Sequence, residues 1–162
     1  MNIVIPMAGA GSRFAQVGYD LPKPLIPVDG VPMIVRAVQT LDLPGHYHFV
    51  IRETDYTNEC VGAANAAAYA PGIKIIRELT RGAAESALLF RDDINNEEEL
   101  IIANCDQIMA WDAAAVLAQM REYDGAVVVI RSQDPKHSYV QVKKGLAVEF
   151  AEKQVISEYA LT

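Results

Sequence analysis

Short apolar runs alternate with helix-forming segments over the first 123 residues of the chain. Such alternation predicts βαβ units, with parallel strands in a central sheet and helices over its faces. The predicted strands are residues 2–5, 46–51, 73–77, 99–107 and 125–132, and the predicted helices are residues 34–41, 55–69, 82–94 and 112–123. Residues 138–153 predict a hairpin that turns near Lys144 and makes the sheet mixed. We therefore predict an α/β fold with three α/β/α layers and a mostly parallel, mixed sheet.

Composition and charge limit the classes of partner. The chain has 162 residues, of which 51% are apolar and 22% are charged, so it can bury the core of one domain. Its formal net charge is −7, and no basic block offsets it. This balance argues against nucleic acids and anionic membranes as partners. It still allows one small anionic ligand held by one or two local cations.

Cysteine usage and the N-terminal residues predict the compartment. Cys60 and Cys105 lie far apart and form no CxxC pattern, which predicts free thiols rather than a disulfide framework or a zinc site. The chain opens on a strand pattern without a basic region and a long apolar run, so we predict no signal peptide. No apolar stretch approaches the ~20 residues of a membrane helix. We expect a cytoplasmic protein.

A glycine-rich loop follows the first predicted strand in the sequence "IPMAGAGSRF", residues 5–14. Glycines at 9 and 11 let the backbone approach an anion and point its N–H groups at phosphate oxygens. Arg13 can bind such oxygens through two parallel hydrogen bonds. Lys23, held between two prolines, adds a second positive charge. The pattern is typical of a phosphate cradle, and a tight connection is the alternative.

Two known phosphate-binding patterns fit this loop poorly. The Walker pattern GxxxxGK[ST] requires a lysine that the loop lacks. The dinucleotide pattern GxGxxG requires a third glycine where Phe14 stands, followed by a helix. The residues after Phe14 predict an irregular segment instead.

The stretches "MAGAGSRF" and "LPKPLIPVDGVPMI" together resemble the motif of the sugar-nucleotide pyrophosphorylase type of sugar-phosphate nucleotidyltransferases. The match covers the spacing, both prolines and about 30 residues. The resemblance implies the Rossmann-like GT-A fold, a loop that binds a triphosphate, and catalytic roles for Arg13 and Lys23 as the α-phosphate is attacked. It implies these nucleotide-binding residues: Ala8, Gly9, Ala10, Gly11, Ser12, Arg13 and Lys23.

An acidic residue follows the fourth predicted strand in "LIIANCDQ", where Asp106 comes directly after Cys105. Ligands of open α/β sheets bind outside the carboxyl ends of the strands. An aspartate there can hold Mg²⁺ against phosphate oxygens, and a turn or cap aspartate is the alternative. The resemblance implies that Asp106 is a catalytic, nucleotide-binding Mg²⁺ ligand, with Cys105 replacing the family's usual small residue. We predict that Asp112 caps the N-terminus of the helix that follows.

The stretch "TRGAAESALL" resembles the family's segment that contacts the base. Gly82 and Ala84 match that segment and are implied to bind the nucleotide. Glu85 and Ser86 stand where relatives vary, so we assign them no base preference. An ordinary helix opened by glycine is the alternative.

The stretch "VEFAEKQVIS" resembles a V-x-x-x-x-E-K element, in which glutamate and lysine contact the sugar and its phosphate. The resemblance implies that Glu152 and Lys153 bind the acceptor, and Tyr139 would form a wall of that pocket. Adjacent strand residues face opposite sides, so a solvated pair is the alternative for Glu152 and Lys153. A place in the core is the alternative for Tyr139.

The resemblance implies transfer of a nucleoside monophosphate group from an NTP to a phosphorylated acceptor, with release of pyrophosphate. The acceptor it implies is a sugar 1-phosphate, and another small phosphorylated molecule is the alternative. The matching bacterial group makes NDP-sugars for capsule and surface polysaccharides. We expect residues 1–162 to form a single domain that lacks the C-terminal third of a typical member. A catalytically incomplete nucleotide-binding module is one alternative. A glycosyltransferase of the same fold is another, although Gln107 and Ile108 break its D-x-D pattern. A homo-oligomer is left open.

Overall fold

A computed structural model describes residues 1–161 of the chain. Two units with separate internal packing make up the structure, Met1–Ala113 and the residues from Ala114 onwards. The single domain over residues 1–162 therefore remains a prediction. Within the described residues, no helix combines the length and the apolar character needed to cross a membrane.

The first unit contains six strands, five α-helices and one 3₁₀ turn. The strands are β1 (Asn2–Pro6), β2 (Pro27–Val28), β3 (Val31–Pro32), β4 (His46–Arg52), β5 (Gly72–Ile76) and β6 (Leu100–Ile102). The helices are α1 (Ser12–Gln16), the 3₁₀ turn (Lys23–Leu25), α2 (Met33–Leu41), α3 (Thr57–Ala67), α4 (Ala83–Leu88) and α5 (Arg91–Ile94). Helix α6 (Ala113–Met120) follows directly after Asp112, where the sequence predicts its cap.

A parallel sheet forms the centre of the first unit. Its strand order is β5-β4-β1-β6, and every neighbouring pair is parallel. The predicted α/β fold with a mostly parallel central sheet is confirmed. Because parallel strands end at the same edge, the segments that follow β1 and β6 leave the sheet side by side.

Both faces of this sheet are covered. Val4 and Val50 pack with Ala87 of α4 and with Phe90 on one face. Ile5 points to the other face, because successive strand residues alternate, and it is 1% exposed. Helix α4 packs on β1, and α3 packs on β4. The carboxyl end of β1 is thereby held in place by its neighbours on both sides.

The second unit holds an antiparallel sheet. Its strands, in the order β7-β10-β8-β9, are β7 (Val129–Arg131), β10 (Tyr159–Leu161), β8 (Tyr139–Lys143) and β9 (Leu146–Ala151). The predicted hairpin is confirmed, with Lys144 and Gly145 at positive φ in its turn. The prediction that this hairpin joins the parallel strands in one mixed sheet was wrong. Strand β8 bonds to β9 and β10, so the hairpin belongs to a separate sheet.

Three segments of the first unit differ from the sequence prediction. The predicted helix over 82–94 is broken, because Phe90 is 2% exposed in the core and its backbone leaves the helical region. The predicted strand over 99–107 pairs with β1 only as far as Ile102. One short helix, Ser12–Gln16, forms because the N–H groups of Phe14 and Ala15 both bond to the Gly11 carbonyl, so the irregular segment predicted after Phe14 begins only at Val17.

Candidate nucleotide-binding site

The loop after β1 presents unbonded backbone N–H groups to solvent. Met7 and Ala8 are 5% and 4% exposed, whereas Gly9 and Ala10 are exposed. Within residues 1–161, no group accepts a hydrogen bond from five consecutive backbone N–H groups, which belong to Gly9, Ala10, Gly11, Ser12 and Arg13. Successive N–H groups of this kind form a concave site for an anion. The Arg13 side chain is exposed at the end of this run.

Gly11 gives the loop its shape. Its φ is 61° and its ψ is 20°, in the left-handed region that favours glycine. The Gly11 carbonyl accepts hydrogen bonds from Phe14 N–H at 2.9 Å and Ala15 N–H at 3.3 Å, which turns the chain into α1. A Cβ at this position would lie 3.4 Å from the Cβ of Lys23. That distance is an ordinary van der Waals contact, so the positive φ, and not a lack of space beside Lys23, is what favours glycine here.

Lys23 and Asp106 form an ion pair. The Lys23 Nζ lies 2.5 Å from Asp106 Oδ2, with 25% and 36% of the two side chains exposed. The Nζ also lies 6.0 Å from the centre of the Phe14 ring. These two residues are 83 positions apart in the sequence (106 minus 23), and the parallel sheet brings them together at one edge. The structure thus gathers the predicted loop, the lysine and the aspartate in one unit.

Asp106 is carried by a loop that a buried thiol anchors. The N–H of Ala103 still bonds to the Val4 carbonyl at 3.0 Å, and the chain then leaves the sheet. Cys105 is 6% exposed. Burial raises the pKa of the Cys105 thiol to about 11, and the nearby positive charge of Lys23 acts in the opposite direction. Cys105 is therefore neutral at physiological pH and acts as an apolar anchor beneath the aspartate.

The site fits a Mg²⁺ that arrives with a nucleotide rather than a resident metal. The described residues contain no group of three His, Cys, Asp or Glu side chains arranged to hold a metal ion. Asp106 supplies one partly exposed carboxylate. Mg²⁺ is commonly held by one or two carboxylates together with substrate phosphates and water. One carboxylate beside a loop of unbonded backbone N–H groups fits that mode of binding.

The segment that carries Gly82 and Ala84 opens helix α4 with its own side chains. Both residues are exposed. Glu85 reaches back to accept a hydrogen bond from the Arg81 N–H at 2.5 Å, which lowers the pKa of Glu85. Thr80 Oγ1 lies 2.6 Å from Ser86 Oγ. Glu85 and Ser86 thus stabilise the start of the helix, and the role of Gly82 and Ala84 toward a base stays a prediction.

The three residues predicted to bind the acceptor lie in the second unit. Tyr139 is fully buried, and its hydroxyl donates to the Asp134 carbonyl at 2.8 Å, which favours the core alternative. Glu152 and Lys153 are exposed, with the Lys153 Nζ 3.3 Å from Glu152 Oε1. Glu152 also accepts a hydrogen bond from Ser138, and this bond lowers its pKa. The roles of all three toward an acceptor stay predictions.

Sequence reasoning missed the contacts that support the charged pair. Phe14 was considered only as a missing glycine, yet its ring faces Lys23 and packs edge-on against Tyr19 at 5.7 Å. Thr40 and Trp111 were not singled out, and they join helix α2 to the Asp106 loop. An aromatic residue next to a cationic loop was the one signal available for Phe14. Nothing in the local sequence around Thr40 signals a contact 71 positions away.

Comparisons with known proteins identify the family and the fold of the chain. The model of the MobA-like NTP transferase domain matches residues 3–156. No curated protein sequence matches the chain. Among solved structures, a nucleoside-diphosphate-sugar pyrophosphorylase from Vibrio cholerae has a TM-score of 0.73 and 22% identity. That match covers 98% of this chain and 70% of the other.

Two further structures share the fold. A candidate glucose-1-phosphate thymidylyltransferase from Bacillus anthracis, in complex with a sucrose, has a TM-score of 0.78 and 19% identity, covering 100% of this chain and 69% of its own. The inositol-1-phosphate CTP transferase from T. maritima has a TM-score of 0.71 and 18% identity, covering 99% and 67%. At these identities the likeness concerns the fold. Because the family model spans nearly the whole sequence, the chain belongs to the MobA-like NTP transferase domain family.

Proposed function

We propose that the chain transfers a nucleoside monophosphate group from an NTP to the phosphate of a small acceptor and releases pyrophosphate. The observation that carries the proposal is the run of unbonded N–H groups at residues 9–13, packed against Lys23. This run lies at the carboxyl end of β1, the edge where parallel sheets bind ligands. A triphosphate offers the row of oxygens that such a run of donors requires.

The proposed chemistry is an in-line displacement at phosphorus. A phosphate oxygen of the acceptor attacks the α-phosphorus, the bond from the α-phosphorus to the bridging oxygen breaks, and the electron pair leaves with pyrophosphate. The residues 9–13 and the Arg13 guanidinium bind the β- and γ-phosphates, and Lys23 stabilises negative charge at the α-phosphate. Catalysis then consists of positioning and charge stabilisation, without a covalent intermediate on the protein.

Asp106 is proposed as the residue that holds Mg²⁺ when the nucleotide binds. Mg²⁺ would supply positive charge that offsets the negative charge of the phosphates and of the leaving group. The Lys23 Nζ lies 2.5 Å from Asp106 Oδ2 and neutralises this carboxylate. Lys23 therefore has to exchange the carboxylate for a phosphate oxygen, and a triphosphate supplies that replacement partner.

We propose a sugar 1-phosphate as the acceptor and an NDP-sugar as the product, used for bacterial surface polysaccharide in the cytoplasm. The motif resemblance supports this choice. So do the names of two proteins of the same fold, which act on glucose 1-phosphate and inositol 1-phosphate. In the second unit, Glu152 and Lys153 offer an acceptor and a donor for a sugar hydroxyl and its phosphate.

Nucleotide binding without turnover is the second candidate function. The lack of a group of three metal-ligating side chains within residues 1–161 favours it, because few protein ligands hold Mg²⁺ weakly. An assay of turnover separates the two candidates. Both require the loop at residues 9–13 and differ in whether pyrophosphate is released.

The test is pyrophosphate release from ATP, CTP, GTP, UTP or dTTP, with Mg²⁺ and either glucose 1-phosphate or inositol 1-phosphate. We expect one NTP to release pyrophosphate only when an acceptor is present. Lys23→Met should lower kcat roughly a hundredfold, because it removes charge stabilisation at the reacting phosphate. Lys143→Met, which removes an exposed lysine of β8, is the matched control and should turn over normally. Pyrophosphate release that is equal with and without acceptor, or unaffected by Lys23→Met, would contradict the proposal.

A further inference from the structure

Thr40 connects helix α2 to the loop that carries Asp106. Its Oγ1 accepts a hydrogen bond from the Met109 N–H at 3.1 Å. Its carbonyl accepts one from the Trp111 indole Nε1–H at 3.0 Å. The Thr40 hydroxyl itself donates to the Ala37 carbonyl at 3.2 Å. All four residues belong to the first unit.

Among the described residues, these two hydrogen bonds are the ones that the Thr40 carbonyl and the free lone pair of the Thr40 hydroxyl accept. The last four carbonyls of a helix lack intrahelical donors, and the Thr40 carbonyl is one of them. The hydroxyl hydrogen is committed to Ala37, so an oxygen lone pair is left for Met109. Loss of the hydroxyl would leave the partly buried Met109 N–H without its acceptor.

Asp106 therefore lies between two anchors. On its N-terminal side, Cys105 is 6% exposed and buried under the loop. On its C-terminal side, Met109 and Trp111 are bonded to Thr40. A segment tied at both ends samples few positions, so the Asp106 carboxylate is held where Lys23 meets it.

The same helix also supports the Lys23 side of the ion pair. The Met33 N–H, at the start of α2, bonds to the Ile26 carbonyl at 2.9 Å. The 3₁₀ turn Lys23–Leu25 packs against α2 as well. One rigid element thus sets the positions of both charges. The lysine turn is attached at its beginning and the aspartate loop at its end.

We propose that Thr40 is a positioning residue, which fixes the Asp106 carboxylate relative to Lys23 and so sets the affinity of the site for Mg²⁺ with NTP. This inference rests on the proposed function, because it concerns the metal and nucleotide that the site would bind. Residues that orient a metal ligand typically change metal affinity ten- to a hundredfold when they are removed.

The test compares Thr40→Val, which keeps the shape and removes the hydroxyl, with Thr40→Ser, which keeps it. The NTP that the wild-type chain binds is titrated calorimetrically at a series of Mg²⁺ concentrations. Thr40→Val should require roughly tenfold more Mg²⁺ for half-maximal affinity, with unchanged binding in the absence of Mg²⁺. Thr40→Ser should restore the wild-type requirement. Thr57→Val is the matched control, since it removes a hydroxyl that bonds only at the start of α3.

Trp111 supplies a second readout, because it is the chain's one tryptophan. Thr40→Val keeps the backbone carbonyl that accepts the indole N–H, so only the Met109 N–H loses its acceptor. The emission of Thr40→Val without ligand should therefore stay close to that of the wild type, which shows that the surrounding fold is kept. A large shift to longer wavelength would mean that the substitution disrupts the packing of the whole segment, a structural role alone, and would overturn the proposal.

Trp111→Phe tests the hydrogen bond from the indole to the Thr40 carbonyl. It replaces Thr40→Val in the titration if circular dichroism shows that Thr40→Val is unfolded. It removes the indole N–H and should raise the Mg²⁺ requirement by a similar factor. A wild-type Mg²⁺ requirement in the folded variant would overturn the inference while leaving the proposed function intact. A wild-type chain that binds no NTP at any Mg²⁺ concentration would overturn both.

Discussion

His48 is a buried histidine whose ring has one unbonded nitrogen. Its Nε2 lies 3.1 Å from Asn2 Oδ1 and donates to it, because the Asn2 amide nitrogen is bonded to Asn96. Its Nδ1 has no hydrogen-bond partner among the described residues. Burial lowers the pKa of His48, which Lys74 and His46 lower further and Asp93 raises. Protonation would place an unpaired N–H in the core.

We predict that the folded chain loses stability in mild acid because of His48. Its pKa is 6.5 in the unfolded chain and lower in the folded one, so the unfolded state takes up the proton first as the pH falls. The free energy of unfolding should therefore be highest above about pH 7 and fall through pH 6.5, by at most about 1.4 kcal/mol per pH unit for one proton. It levels off below the folded-state pKa.

The measurement is urea unfolding at pH 7.5, 6.5 and 5.5, followed by Trp111 fluorescence, which reports on the same unit. His48→Gln should flatten the pH dependence over this range. His46→Gln removes the exposed neighbour and should leave it steep. Equal slopes in the wild type and His48→Gln would show that another group is responsible.

At this scale the sequence singled out candidate residues but did not predict what they contact. Lys23 and Asp106 were singled out from spacing and resemblance, and the structure joins them at 2.5 Å. The ion pair itself could not be foreseen, because it depends on β1 and β6 being neighbours. Phe14 and Thr40 were missed for the same reason, since each acts through a contact with a segment distant in the sequence.

Among the elements, helix α3 contains a glycine that its packing does not require. Gly62 is exposed near the middle of the helix, and a Cβ there would meet no atom within 4 Å. Glycine within a helix costs about 0.5–1 kcal/mol relative to alanine, chiefly in backbone entropy. Gly72, at the start of β5, is the opposite case, because a Cβ there would lie 2.6 Å from His48 Nδ1.

We predict that Gly62→Ala raises the free energy of unfolding by about 0.5–1 kcal/mol. Gly72→Ala should lower it by about 1–3 kcal/mol, because the core must shift to admit the methyl group. Both are measured by urea unfolding at pH 7.5. A lower free energy of unfolding in Gly62→Ala, or an unchanged one in Gly72→Ala, would contradict these two predictions.

Elements with strong local patterns were predicted well, and elements that depend on packing were not. Helix α3 was predicted over 55–69 and spans Thr57–Ala67, because its alanine-rich sequence favours a helix by itself. The break between α4 and α5 was missed, because burial of Phe90 diverts the backbone there. Strand β6 is shorter than its apolar pattern, because the chain leaves the sheet after Ile102 and continues as the loop that carries Asp106.

For the molecule as a whole, the sequence predicted the α/β fold and a nucleotidyltransferase, and the fold and the NTP transferase family are confirmed. The alternation of strands and helices predicts the fold class, because it reflects both local propensity and burial. The late hairpin was placed in the wrong sheet, because strand pairing between distant segments leaves no trace in local periodicity. The acceptor could not be derived, since Glu152 and Lys153 carry only generic polar chemistry.

The central claim is that the loop at residues 9–13 binds the phosphates of an NTP together with Mg²⁺. Isothermal titration of the chain with each NTP, with and without Mg²⁺, tests it most directly. We predict Mg²⁺-dependent binding of one NTP, weakened roughly tenfold or more in Arg13→Ala, because charge-assisted hydrogen bonds to phosphate are lost. Arg91→Ala, which removes an exposed arginine of α5, should bind as the wild type does. Failure of every NTP to bind, or wild-type affinity in Arg13→Ala, would contradict the account.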